Sequence, residues 1–244
     1  MTYLSKKDFS QLCLGSSGEG GISQIYIPEI VRTLEEAAMG CPPVIWLQGA
    51  SCGGCSISLL DNVHPKLRNA LIKIKSLAFL QQPVANKNDF VEKVLTIARD
   101  YKGQFYLIIE GAIPTGADGL YCIVGEDADG RPISLLNLVK KLSASAKAVL
   151  ALGTCAAFGG VPAIEPNPTG CQGVSKVLAG QTVINIPGCP PHSDWVIGTL
   201  VHVLRYGIPD LDGDLRPTLF YEGLDQGEEP LGYLTESLKK TSFS

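Results

Sequence analysis

The sequence predicts an α/β fold in which a mainly parallel sheet carries helices on both faces. Three observations predict it. From Val44 onward short apolar runs alternate with helix-like segments, the pattern of strands joined by crossover helices. The runs are near-continuously apolar, as strands buried on both faces should be. The 244 residues, 45% apolar and 18% charged, suffice for one large domain with a real core and lie outside the disordered class.

Taken in order, Val44–Gln48 is the first strand and Cys55–Leu60 the helix behind it. Ile74–Leu80 reads as a second strand and Asp89–Tyr101 as a helix. Phe105–Ile109 is a third strand, and Leu120–Val124, set between Asp118-Gly119 and Gly125, suits a hairpin arm. Ser134–Ser143 is helical, Ala148–Leu152 and Thr182–Ile186 are strands, and Ser193–Arg205 is a helix. That helix has Ser193 and Asp194 as start signals and Gly207 and Pro209 as stop signals. These elements predict a flavodoxin-like domain over 42–221. The Gly/Ser-rich stretch before Ile30 and the weakly patterned end suggest an N-terminal arm, 1–41, and a C-terminal arm, 222–244.

Twenty basic against 24 acidic residues leave a net charge of −4 without a long basic run, so no nucleic-acid footprint is expected. The longest charge-free stretch, Ala148 to Ile164, contains Gly153, Gly159, Gly160 and Pro162, which suit no transmembrane segment. Ser5-Lys6-Lys7-Asp8-Phe9 resembles the twin-arginine export signal with both arginines replaced by lysine, a vestige or a chance match, and the following residues supply neither an apolar core nor a cleavage site. A cytoplasmic location is therefore expected, with any membrane association made through partners. Eight unevenly spaced cysteines are too sparse for a disulfide scaffold and favour metal binding or catalysis.

Ligands of such sheets bind beyond the carboxyl ends of the strands, and there the cysteines collect. Cys52 and Cys55 follow the first strand in Gly49-Ala-Ser-Cys-Gly-Gly-Cys55, Cys155 follows Leu152, and Cys189 lies in Pro187-Gly-Cys-Pro-Pro191. Four thiolates suit zinc or an iron-sulfur cluster. A zinc ribbon usually has two CxxC knuckles, whereas here one CxxC is joined by two distant single cysteines; a 4Fe-4S cube, reached at separate corners, fits better. A lone thioredoxin-like CxxC pair would leave Cys155 and Cys189 unexplained. Gly53, Gly54, Gly153 and Gly188 flank the thiols and could aim backbone N–H groups at cluster sulfides or simply end strands. Glu110, closing a strand on the same edge, is an expensive place for charge unless bonded or used. Cys122 suits the core, Cys13 and Cys41 suit free thiols, and Cys171 has no assigned role. His64, His192 and His202 are too scattered for a His-rich site.

Four ordered motifs carry a resemblance: Trp46-Leu-Gln-Gly-Ala-Ser-Cys-Gly-Gly-Cys-Ser56, Glu110-Gly-Ala-Ile-Pro114, Gly153-Thr-Cys-Ala-Ala-Phe-Gly-Gly160 and Pro187-Gly-Cys-Pro-Pro-His-Ser-Asp-Trp195. Together with Arg216-Pro-Thr-Leu-Phe-Tyr221 they resemble the small subunit of nickel-iron hydrogenases over about Pro42 to Tyr221. The related complex I subunit has adjacent cysteines where this chain has CxxC. The resemblance implies that Cys52, Cys55, Cys155 and Cys189 ligate one proximal 4Fe-4S cluster with Glu110 close by. It implies that a partner large subunit holds the nickel-iron centre and that this chain conducts electrons.

Gly54 and Gly160 stand where oxygen-tolerant members have extra cysteines, so a six-cysteine cluster is not implied. No cysteine follows Cys189 and no histidine follows His202, so the family's medial and distal clusters find no ligands there. A further iron-sulfur subunit is therefore expected to take the electrons. Competing readings are a non-catalytic hydrogen-sensing or assembly module with a structural cluster, and a different energy-converting complex that has borrowed the subunit.

Overall fold

The computed structural model describes residues 5, 6, 9, 27–39, 42–77, 87–127 and 129–221. In chain order these form α1 (Ile27–Ala38), β1 (Val44–Gln48), α2 (Gly54–Asn62), α3 (Pro65–Leu77), α4 (Lys87–Asp100), β2 (Tyr106–Glu110) and β3 (Ile113–Pro114). A 3-10 turn, Gly116–Gly119, leads to β4 (Ile123–Glu126), β5 (Pro132–Ser134), α5 (Leu135–Ser143), β6 (Ala148–Leu152) and α6 (Gly153–Phe158). After a second such turn, Val161–Ala163, come β7 (Cys171–Gln172), α7 (Val174–Val177), β8 (Val183–Ile186), α8 (Ser193–Tyr206) and α9 (Thr218–Tyr221).

The central sheet runs β1-β2-β6-β8, and every neighbouring pair in it is parallel. Two-residue alternation sorts the strand side chains between two cores. Trp46, Ile108, Leu150 and Ile184 point into one with α1, α3 and α8. Leu47, Leu107, Val149 and Val183 point into the other with α4 and α5. Helices on both faces explain why all four strands are buried along their whole length, and the predicted flavodoxin-like architecture is the one observed.

The segment Ile74–Leu80, expected to be a strand, is corrected over its described part: Ile74 to Leu77 complete α3. Leu67, Ala70, Leu71 and Ile74 are all buried at helical spacing, and Pro65 suits a first helical turn. That 3.6-residue period outweighs the short apolar run, and residues 78–80 lie outside the described residues. The hairpin arm starts at Ile123 rather than Leu120 and pairs antiparallel with β5. Helix α8 takes its N-cap from His192, whose ring accepts from the Asp194 N–H at 3.3 Å, rather than from Ser193.

Helix α1 was not anticipated. Its signal is the spacing of buried Ile27, Ile30, Leu34 and Ala37, with Glu29 favourably placed in the first turn. It packs on α3 and α8. Leu34 is fully buried, so Leu34→Ala is expected to cost about 2–5 kcal/mol of stability. A denaturant titration checks this, and an unchanged midpoint would show α1 to be dispensable. Residues 222–244, Cys13, Cys41 and, within the export-like start, Lys7 and Asp8 lie outside the described residues.

Candidate functional site

Strand register brings the functional loops together. Gln48, Glu110, Leu152 and Ile186 stand side by side in one row at the carboxyl end of the sheet. The next residues leave that edge as three cysteine-bearing loops and the Gly111–Pro114 turn. Gly49 and Gly111 let the first loop cross the turn closely: a Cβ on Gly49 would lie 2.4 Å from the Ala112 carbonyl oxygen, and Ala50 and Ala112 bridge through paired bonds of 2.9 and 3.1 Å.

Cys52 and Cys189 are exposed, while Cys55 and Cys155 are half-buried. Desolvation pushes the Cys55 thiol up to about 12, helped by the negative charge of Glu110 and of Cys155, Cys189 and Cys52. Desolvation likewise raises Cys155, opposed by a backbone hydrogen bond from Val161 and reinforced by Cys189, Cys52 and Cys171. Cys55 therefore feels the other three predicted thiols, and Cys155 feels Cys52 and Cys189. Burial thus disfavours the thiolate at Cys55 and Cys155, and a soft cation would offset that cost.

The pocket around them is sculpted by glycine. A Cβ on Gly153, whose φ is +86°, would sit 2.5 Å from Cys55 Sγ, and one on Gly160 would sit 2.7 Å from Cys155 Sγ. Of the flanking glycines, Gly54 donates its N–H to a cysteine sulfur, Cys52 Sγ, at 3.4 Å. Gly53 donates instead to Ser51 Oγ at 3.2 Å, and Gly188 to Thr154 Oγ1 at 3.0 Å. The Val161 donor was missed because the amide that immediately follows the Gly159-Gly160 pair leaves no signal in side-chain identity.

Glu110 is fully buried. The Ser56 N–H donates to its Oε1 at 3.3 Å and the Ser56 hydroxyl to its Oε2. Its charge is thus bonded as well as being felt by Cys55. Cys171, buried beside Cys155, contacts Thr169 Oγ1 at 3.2 Å. Cys122, expected in the core, is half-buried against it.

Residues 52–203 match the family model described as NADH ubiquinone oxidoreductase, 20 Kd subunit. The chain is 42% identical over 234 residues to the periplasmic NiFeSe hydrogenase small subunit of Desulfomicrobium baculatum, covering 89% of this chain and 74% of that relative. It is 37% identical over 227 residues to the hydrogenase-2 small chain of Escherichia coli strain K12, covering 89% of this chain but 57% of that longer protein. The solved recombinant NiFeSe hydrogenase from Desulfovibrio vulgaris Hildenborough superposes with a TM-score of 0.66 at 41% identity, over 82% of this chain and 75% of that one.

The parallel sheet, its thiol-bearing edge and these likenesses define a class, the redox subunits of hydrogen-metabolising enzymes. Within that class, the chain belongs to the family of hydrogenase small subunits.

Proposed function

We propose that this chain is the electron-transfer subunit of a nickel-iron hydrogenase and that Cys52, Cys55, Cys155 and Cys189 hold one 4Fe-4S cluster. The observation that carries the reading is that three strand-end loops leaving one row of the sheet bring four cysteines to one edge, where Cys55 feels the other three. The donor set and the glycine-trimmed space fit a sulfide-rich group. One CxxC joined by two distant single cysteines suits ligands to separate iron corners better than the paired knuckles of a zinc ribbon. When bound, such a cluster supplies one-electron redox chemistry.

The chain's own residues position the thiols, donate backbone N–H groups to Cys52 and Cys155, and place Glu110 against Cys55. The nickel-iron centre belongs to a partner large subunit in this reading. Ile57, Phe158, Val161 and Ile164, large and exposed in or beside the cysteine loops, offer apolar surface for that partner. With no cysteine after Cys189 in these 244 residues, electrons pass to a carrier outside them, such as a further iron-sulfur subunit. Among the described residues no helix is long and apolar enough to cross a membrane. The export-like start lacks an apolar core and a cleavage site, and on that ground we propose a cytoplasmic location, with any membrane association made through partners.

The test is to purify the complex anaerobically through this chain, expose it to hydrogen and follow the electron paramagnetic resonance of its centres. A 4Fe-4S signal that appears within turnover time is expected. Zinc in place of iron, or a hydrogen-insensitive complex bound to a signalling partner, would overturn the reading. Glu110→Gln removes a negative charge beside Cys55, so it should make the cluster easier to reduce and raise its midpoint potential in a redox titration. An unchanged potential would show the carboxyl to be neutral or screened.

A further inference from the structure

The Cys189 loop is held by bonds that the ligand set does not account for. Tyr221 Oη donates to the Pro187 carbonyl at 2.8 Å. Gly188 N–H donates to Thr154 Oγ1 at 3.0 Å, and the Thr154 N–H returns a bond of 2.9 Å to the Gly188 carbonyl. The Pro187 carbonyl and the Gly188 N–H are the two ends of one planar peptide group. Tyr221 and Thr154 therefore grip the same plane from opposite sides. Cys189 follows that peptide and Cys155 follows Thr154, so the grip ties one thiol loop to the other.

Side-chain packing cannot do this at residue 188, because a Cβ on Gly188 would lie 2.3 Å from Pro191 Cα. The Tyr221 ring is itself fixed. It is buried, meets Trp195 edge-on at 4.9 Å and lies 5.4 Å beneath the Arg216 guanidinium, which is bonded to Asp212 at 2.7 Å. Burial raises the phenol well above its ordinary range, so Oη keeps its proton and remains a donor. A phenylalanine would fill the same space without a polar tip to satisfy. Donation to the carbonyl also polarises the peptide and strengthens its N–H as a donor to Thr154.

We propose that Tyr221 and Thr154 are a pair of positioning residues that set the spacing of Cys155 and Cys189 through the Pro187–Gly188 peptide, an inference that rests on both thiols being cluster ligands. In the purified complex, Tyr221→Phe and Thr154→Val each remove one bond and leave the packing in place. Each should alter the line shape of the reduced centre and speed iron release to a chelator by about 2–10-fold, the factor corresponding to one hydrogen bond. The double variant should release iron no faster than the worse single one, because both act on one peptide. Thr154→Ser, which restores the acceptor, should behave as the parent.

Phe220→Leu separates positioning from general packing, since buried Phe220 neighbours Tyr221 and stacks near Trp195. It should lower the melting temperature and leave the spectrum alone. A spectral change in Phe220→Leu equal to that of Tyr221→Phe would overturn the proposal. So would fully additive effects in the double variant. Unchanged spectra and iron release in both single variants, with the centre lost in Cys189→Ser, would overturn the inference while the ligand reading stands. A parent complex without a 4Fe-4S signal would overturn both.

Discussion

Cys155→Ser is expected to abolish the cluster signal of the complex and lower its iron content by one cluster. Electron delivery from hydrogen to an external acceptor should fall by more than the roughly 10–100-fold that loss of an outer-shell partner costs at a metal site. Cys155 reaches the site from the first turn after β6, and its sulfur takes a backbone hydrogen bond from Val161. A serine hydroxyl is a poor substitute for a thiolate on iron, and Cys55, whose thiol is already pushed up by burial, would lose the cation that holds it ionised. The control is Cys171→Ser. Cys171 is close enough for Cys155 to feel its charge, yet its sulfur is engaged with Thr169, so that variant should keep the cluster. Iron analysis and electron paramagnetic resonance of the two variants side by side decide the assignment; a retained signal in Cys155→Ser sinks it.

Gly153→Ala should be nearly as damaging although it removes no ligand. The backbone there has φ +86° and the new methyl would lie 2.5 Å from Cys55 Sγ and 3.6 Å from the Gly188 carbonyl oxygen. Holding a non-glycine residue at positive φ costs about 1–3 kcal/mol, and overpacking a tight site costs typically about 1–3 kcal/mol more. Cys55 must move or the turn into α6 must reshape, and either displaces a thiol from the cluster. Gly103→Ala isolates the two contributions: its φ is +74° and nothing lies within 4 Å of the added Cβ. That variant should lose some stability and keep a normal cluster. Equal cluster content in both variants, measured as iron per complex, would show that the Gly153 contact is relieved without cost.

How much of this is legible in a linear chain depends on whether the controlling physics is local. Strands β1 and β6 carry near-continuous apolar runs, and that composition is enough because both faces of the sheet are covered. The run at Ile74 has similar composition but belongs to α3, since what decides there is the burial of residues three and four apart, a pattern reaching back to Leu67. Helix α1 hides for a related reason: its start is masked by the Gly/Ser-rich stretch before it, and its apolar stripe gains meaning only when α3 and α8 lie alongside.

The sequence by itself determined the parallel α/β class, the family resemblance, the four candidate thiols and the buried Glu110, because each rests on residue identity and on the rule that strand-end loops share one edge. Tertiary structure alone decided which groups act on those thiols. The register that aligns Glu110 with Leu152, the Val161 donor to Cys155, the Ser56 bonds to Glu110 and the grip of Tyr221 and Thr154 on the Pro187–Gly188 peptide join residues far apart in the chain or use backbone atoms that every residue shares. Hydrogen bonds form over about 3 Å, and only the folded chain brings such groups within that distance.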